Sequence, residues 1–494
     1  MYGEEKSDSL IVAANLANNP QGAESVERRS GAKGNAEQPH MRRTQSRESM
    51  SQRLSRVREA AKQRKKERFT ALFHLLTAEA LENAFLSLSR KAAAGVDGVR
   101  WKDYAENLKV NIADLHRRLH QGSYRAQPGR RHYIPKADGK QRPLGIASLE
   151  DKIVQYALVK ILNAVYENDF MGFSYGFRPG RSQHNALDAL ATGLGRTNVN
   201  WVLDADISQF FDKVSHEWLI RFIEHRIGDQ RVIRLIRKWL TAGTSEEGEW
   251  RASEEGTPQG AVISPLLANI YLHYVFDLWA HQWRRRHATG NVVMVRYADD
   301  IVIGFDKRID AQCFRIAMQR RLKEFGLTVH PKKTRLMEFG RFAAENRASR
   351  GKGKPETFNF LGFTHISGKD RSGRFMLIRK TRRDRMTATL KAIKDGLRRR
   401  WHYSIPEQGK WLRRVVQGYL NYHSVPGNYP MMRKFRIYVT DLWRRALRRR
   451  SQQDDTTWTK ANRLAAVWLP KVRVLHPWPV ERFTARHPRQ EPGA

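Results

Sequence analysis

Apolar and polar positions repeat with different periods along the chain, and each change of period marks an element. Two apolar runs, Val292–Val295 and Ile301–Ile303, enclose Tyr297-Ala298-Asp299-Asp300. Short apolar runs around turn-forming aspartates predict two buried strands joined by a tight turn. Trp201–Asp206, apolar except at its acids, predicts another buried strand, running into a helix. Residues 130–148 predict a hairpin: one arm ends at Pro135-Lys136, the turn covers Ala137 to Lys140, and the other arm returns from Gln141. Residues 254–283 predict a Gly/Pro loop feeding a long apolar helix.

Helical spacing covers residues 49–91, with Leu72, Leu75, Leu76, Leu81 and Phe85 as core positions and a basic front from Arg53 to Arg68. From about residue 375 the pattern becomes that of long basic amphipathic helices. Met386, Leu390, Ile393 and Leu397 mark one apolar face. Phe435, Tyr438, Val439, Leu442, Trp443, Ala446 and Leu447 mark another, with Arg436, Arg444, Arg445, Arg448, Arg449 and Arg450 opposite. The Pro- and base-rich tail predicts an irregular strap. Residues 1–48 are polar and aperiodic, a composition that stays disordered or orders on a partner.

Composition narrows the partners. The 494 residues are too many for one core and predict two to four domains. The formal net charge is +40, which favours a polyanion as partner, and nucleic acid is the natural one. No apolar run approaches the roughly 20 residues needed to span a bilayer, and the acidic opening is unlike a secretory signal. A lone cysteine, Cys313, excludes intrachain disulfides. A cytoplasmic setting without a membrane follows as the expectation.

Adjacent aspartates repel unless positive charge lies beside them, and a divalent cation supplies it. A third carboxylate is available at Asp206, at the end of a predicted strand. Three converging acids suit two hard cations such as Mg²⁺, with Mn²⁺ as a substitute, and such a pair serves phosphoryl transfer. Asp204 and Asp212 read as a strand-edge polar residue and a helix-start charge, and Asp97 as a turn residue.

At these residues the chain resembles a reverse transcriptase, and the order of its blocks resembles the proteins encoded by bacterial group II introns. "YADD" at 297–300 resembles the polymerase signature, and "DISQFFD" the first metal-binding motif. "GTPQGAVISPLLANIYL" at 256–272, "FSYGFRPGRS" at 173–182, "GLTVHPKKT" at 326–334 and "FNFLGF" at 358–363 are similar to further blocks, over roughly residues 70–450. The resemblance implies an α+β multidomain protein with a right-hand polymerase fold. Its parts would be fingers at 66–200, a palm at 201–365 with an antiparallel sheet carrying the YADD hairpin, and an α-helical thumb, domain X, at 366–455. A polar extension would precede them at 1–65, and a basic tail follow at 456–494.

The same resemblance implies roles. Asp206, Asp299 and Asp300 would hold the metals, with the Ile207 carbonyl. Phe211 would lie under the deoxyribose and exclude a 2′-OH. Lys136 and Arg142 would grip the triphosphate, Gln259 touch the nucleotide, and Lys333 (or Lys332) hold phosphate or protonate pyrophosphate. Arg178 and Arg181 would touch template backbone, and Tyr422, Arg444 and Arg448 would contact RNA. The partners implied are the group II intron RNA, an RNA template, a DNA primer or target, and dNTPs, with a homodimer as one oligomeric option. A single cysteine implies that a zinc-dependent endonuclease domain is absent. The competing readings are a reverse transcriptase of another bacterial lineage, an RNA-binding splicing cofactor with a vestigial polymerase, and an RNA-dependent RNA polymerase. The intact acids disfavour the splicing cofactor, and the aromatic Phe211 disfavours the RNA polymerase.

Overall fold

The computed structural model describes residues 49–135, 141–246, 248–450 and 456–486. The 1–48 extension and Lys136 lie outside them. The strands, in chain order, are β1 (Gly129–Pro135), β2 (Gln141–Ile146), β3 (Trp201–Asp206), β4 (Thr244–Glu246), β5 (Glu249–Arg251), β6 (Val292–Tyr297), β7 (Asp300–Phe305), β8 (Arg335–Glu338), β9 (Phe358–Phe360), β10 (Phe363–Lys369) and β11 (Phe375–Thr381). They form a sheet of order β2-β1-β4-β5, a central antiparallel sheet of order β6-β7-β3-β8, and a three-stranded sheet of order β11-β10-β9.

The central sheet is covered on both faces, which is why its strands are apolar without alternation. Leu203, Ala205, Ile301, Ile303 and Phe305 join a large core with the helices Leu149–Tyr166, Ser264–Leu272 and Arg308–Glu324. Val202, Val293, Val295, Val302 and Met337 join a second core with the helix Gln183–Arg196 and with Phe358, Phe360 and Phe363 of the third sheet. Gly304 permits that helix to approach: a Cβ there would lie 2.8 Å from Leu194.

The expected helix over residues 49–91 is interrupted. Helix Met50–Gln63 starts at a capping box on Ser49 and helix Ala78–Ser87 at Thr77, with irregular chain and a single 3-10 turn at Phe73–Leu75 between. Polar partners elsewhere tie down that intervening backbone. Arg226 donates to the carbonyls of Arg64 (3.0 Å) and Glu67 (2.5 Å), and Asp229 accepts from the N–H groups of Leu72 and Phe73, both at 2.8 Å. Leu72, Leu75, Leu76, Leu81 and Phe85 are all buried, so the apolar positions were right although the helix was not continuous.

At the C-terminal side, helices Arg383–Arg399, Ile405–His423, Tyr429–Arg448 and Trp458–Trp468 share a third core through Ile393, Leu397, Leu412, Val416, Val439, Trp443 and Ala465. Two boundaries differ from expectation. Strand β10 runs through the 365/366 division, and helix Trp458–Trp468 belongs to the bundle although the thumb was expected to end at 455. The tail expected as an irregular strap, from Leu469 on, is irregular to residue 478 and then forms a helix. The chain then crosses back, and helix Pro479–Arg486 buries Phe483 in the second core. Among the described residues no helix is long and apolar enough to cross a membrane.

The returning helix is anchored on Asp188, a buried carboxylate of helix Gln183–Arg196. It pairs with Arg379 of β11 at 3.2 Å, both side chains being 2% exposed, and with Arg482. Removing one member of a buried pair strands the other. Asp188→Ala is therefore expected to destabilise the protein by about 3–5 kcal/mol, measured as a lower midpoint in urea unfolding. Wild-type stability in that variant would show that the pair is not needed.

Candidate active site

Register brings the acids together. In β3 and β7 Asp206 lies directly opposite Asp300, and in β6 and β7 Tyr297 pairs with Asp300, leaving Ala298-Asp299 as a two-residue turn. Such turns need a positive φ, here φ +57° at Ala298. The Asp206 backbone is fixed by His330, whose N–H donates to its carbonyl at 2.7 Å. Its carboxylate takes the Lys333 ammonium at 3.0 Å.

The remaining acids are short of positive charge. Burial raises the pKa of Asp299, its own backbone N–H opposes this, and the Asp206 charge adds to it. Burial and then the charges of Asp299, Asp206 and Asp204 push Asp300 up to about 7, although part of that residue reaches the surface. Asp204, set aside above as a strand-edge polar residue, stands in the same file. Burial pushes it up to about 6 against Arg335, its neighbour across β8. The oxygen-only donors and the uncompensated charge fit hard divalent cations. Among the described residues, however, no three acidic, His or Cys side chains are close enough to form a finished metal cage.

The adjoining wall is built from the Gly-Thr-Pro-Gln-Gly loop. Thr257 N–H donates to the Phe211 carbonyl at 2.7 Å, and Gly256, at φ +86°, lets the loop close on Phe211 and Asp212. Phe211 is half-buried and packs edge-on against buried Phe210. Ile207 is buried and bridges to Val329. Gln259 links two elements: its side-chain oxygen accepts from Arg142 Nε of β2 at 2.8 Å, and its amide donates to Asp212 at 2.7 Å. Asp212 therefore orients Gln259, a role its reading as a simple helix-start charge did not include.

Beneath the turn lies a buried polar cluster that the sequence reading missed. Arg296 is 0% exposed at the end of an apolar strand. Its Nε and Nη2 donate to Asp277 at 2.7 and 2.5 Å, Nη2 also to Ser174 at 2.7 Å, and Nη1 to Asn269 at 3.1 Å and to the Ala298 carbonyl at 3.0 Å. Asp277 faces inward because the helix carries a π-turn at His273–Asp277. Asn269 donates in turn to the Gly176 carbonyl at 2.7 Å. Gly176 has no room for a side chain, since a Cβ would lie 2.3 Å from Ala298 N. The available signal was a lone arginine in "VVMVRYADD", a charge that an apolar strand keeps only when paired.

Other expected contacts prove to be internal. Arg178, expected on template backbone, is buried. It pairs with Glu167 at 3.0 Å and donates to the carbonyls of Met171 and Ser174, both at 2.8 Å. Arg181 is turned inward too, donating to the Gly172 carbonyl at 2.5 Å and lying over Tyr175. Tyr422, expected on RNA, donates to the Leu361 carbonyl at 2.7 Å and stacks on Phe363. Arg444 pairs with Asp441 at 3.0 Å and covers Trp458. In each case a local acceptor takes at least one of the donors that phosphate would use. Arg448 is exposed on its helix.

Residues 134–365 match the family model for reverse transcriptase (RNA-dependent DNA polymerase). With the acids placed as they are, this stretch is a reverse transcriptase domain. The chain is 44% identical over 206 residues to Protein YkfC of Escherichia coli, covering 41% of this chain and 54% of that one. It is 38% identical over 223 residues to the group II intron-encoded protein LtrA of Lactococcus lactis, covering 44% and 37%. A putative COX1/OXI3 intron 1 protein of Saccharomyces cerevisiae is 26% identical over 393 residues, covering 66% and 46%. The chain is thus similar to intron-encoded proteins, a group II intron-encoded one among them, and it spans about half or less of the length of each of these proteins.

The crowded acids predict a pH signature. A carboxyl whose pKa is higher folded than unfolded binds its proton more tightly in the native state. That contribution is full below the unfolded value of 3.8 and is lost as pH rises towards about 7. Asp300→Asn keeps a neutral group throughout, so without divalent cations its thermal midpoint should gain on the wild type steadily from pH 4 to pH 8. A constant difference across that range would show that Asp300 is not crowded.

Proposed function

We propose that this chain is an RNA-directed DNA polymerase that also binds its own group II intron RNA as a maturase, assisting splicing and retrohoming. The observation that carries the reading is the cross-strand pairing of Asp206 with Asp300 beside the Asp299 turn. In this reading the central sheet is the palm, the sheet carrying Arg142 belongs to the fingers, and the C-terminal helices are the thumb.

Asp206, Asp299 and Asp300, with the Ile207 carbonyl, would hold two Mg²⁺ ions, which Mn²⁺ can replace. When bound, the ions supply the charge that activates a primer hydroxyl and stabilises departing pyrophosphate. The protein's own residues orient and select. Phe211 presents an aromatic edge where a ribose 2′-OH would lie. Arg142, parked on Gln259 through one nitrogen, keeps its remaining donors for the triphosphate, where a forked guanidinium suits bidentate contacts. Lys333 rests on Asp206; rotation of its side chain towards the leaving phosphate would free that carboxylate and let the ammonium donate one proton to the phosphate oxygen, leaving a neutral amine. The exposed basic and aromatic surface of the thumb, including Arg448, Trp401 and Tyr403, suits RNA phosphates and unstacked bases. The +40 charge supports the same class of partner.

Primer extension on an RNA template with Mg²⁺ and dNTPs tests the reading. Asp299→Ala should extend primers at background rate while RNA binding stays at the wild-type level. A folded, RNA-binding wild type that extends nothing would shift the assignment to a splicing cofactor. Phe211→Val should incorporate ribonucleotides that the wild type rejects, and unchanged sugar discrimination would remove Phe211 from its role.

A further inference from the structure

The turn carrying Asp299 places an alanine at φ +57°, a conformation that L-residues with a Cβ rarely adopt. Glycine is the ordinary residue for that position. Something must therefore hold the turn, and one donor reaches it from below, the Arg296 guanidinium at 3.0 Å from the Ala298 carbonyl. That guanidinium has no freedom of its own. Asp277 takes two of its nitrogens, and Ser174 and Asn269 take further donors. The acceptors come from three separate elements, so the fork is fixed in direction as well as in charge. Asn269 extends the hold by donating to the Gly176 carbonyl, and Gly176 lies flush against Ala298 N.

A lysine could still neutralise Asp277, but a single ammonium cannot reproduce a planar fork directed at four acceptor groups. The specific need for arginine is thus directional. We propose that Arg296, oriented by Asp277 and Asn269, is a positioning residue that clamps the Ala298 carbonyl and so holds the Asp299 carboxylate in the place where divalent cations bind. This rests on the metal-dependent reading above and names the device that presents its ligand.

The test uses the full chain and reads Mn²⁺ binding by electron paramagnetic resonance titration beside primer extension. The wild type and Asp299→Ala are compared first. A site lost in Asp299→Ala establishes that Asp299 holds the ion; no difference between the two overturns the metal reading and the clamp with it. Arg296→Lys should then weaken Mn²⁺ binding at that site by about tenfold to 100-fold. It should lower kcat by about 100-fold, as for a displaced reacting group, while the KM for template–primer stays unchanged. Combining it with Ala298→Gly, which adopts the turn without strain, should recover a tenfold or greater part of the Mn²⁺ affinity. Wild-type Mn²⁺ affinity in folded Arg296→Lys, or no recovery in the double variant, would overturn the clamp and leave Arg296 a core ion-pair residue. If Arg296→Lys fails to fold by circular dichroism, Asn269→Ala decides the matter. It removes one acceptor and the tie to Gly176, and unchanged Mn²⁺ affinity there would equally overturn the proposal.

Discussion

Two like charges face each other across the central sheet, Asp206 against Asp300, with Asp299 beside them. Cross-strand like charges weaken a sheet, so the strands that carry these acids must be held by everything else they touch. That explains their composition: both faces are buried, and Val202, Leu203, Ala205, Ile301, Val302 and Ile303 leave little in the strand bodies except apolar packing. Displacing β3 by one residue would carry Asp206 to the opposite face and bury it. The apolar pattern that sets the register therefore also sets the site.

Positive charge near the acids is arranged at two depths. Arg296 is fully buried, spent on Asp277 and on hydrogen bonds that shape the turn. Arg142 and Lys333 are nearer the surface and rest on Gln259 and Asp206. Taking a charge out of water is costly unless its partners replace the lost hydration, and only the deep arginine is provided with a full set. The pocket thus has a buried, fully bonded cation below and exposed cations, each with a single partner among the described residues, above.

How much of this was legible in the sequence depended on range. The YADD hairpin, the strand ending in Asp206 and the hairpin containing Arg142 are local patterns, and their apolar runs, acids and turn residues sufficed to locate them. Three-dimensional partners were not legible. Arg178 and Arg181 looked like template contacts because a basic chain offers many arginines and nothing local reveals that Glu167 and three backbone carbonyls claim their donors. Tyr422 was misplaced for the same reason, its acceptor lying at Leu361 on another element. The interrupted helix near residue 64 depended on Arg226 and Asp229, more than a hundred residues away. The π-turn that aims Asp277 inward has no period of its own in the sequence.

The return of helix Pro479–Arg486 to helix Gln183–Arg196 bears on how the chain acquires its shape during synthesis. Phe483 fills a place among Leu187, Leu190 and Val293, residues made far earlier on the ribosome. Until the last of these segments emerges, that apolar layer lacks one of its walls, and buried Asp188 lacks one of its two arginines. The layer beneath the strands that carry the acids is thus completed only late in translation. A nascent chain halted before residue 479 would leave it open, with Val293 and Val302 covered on fewer sides than in the finished fold.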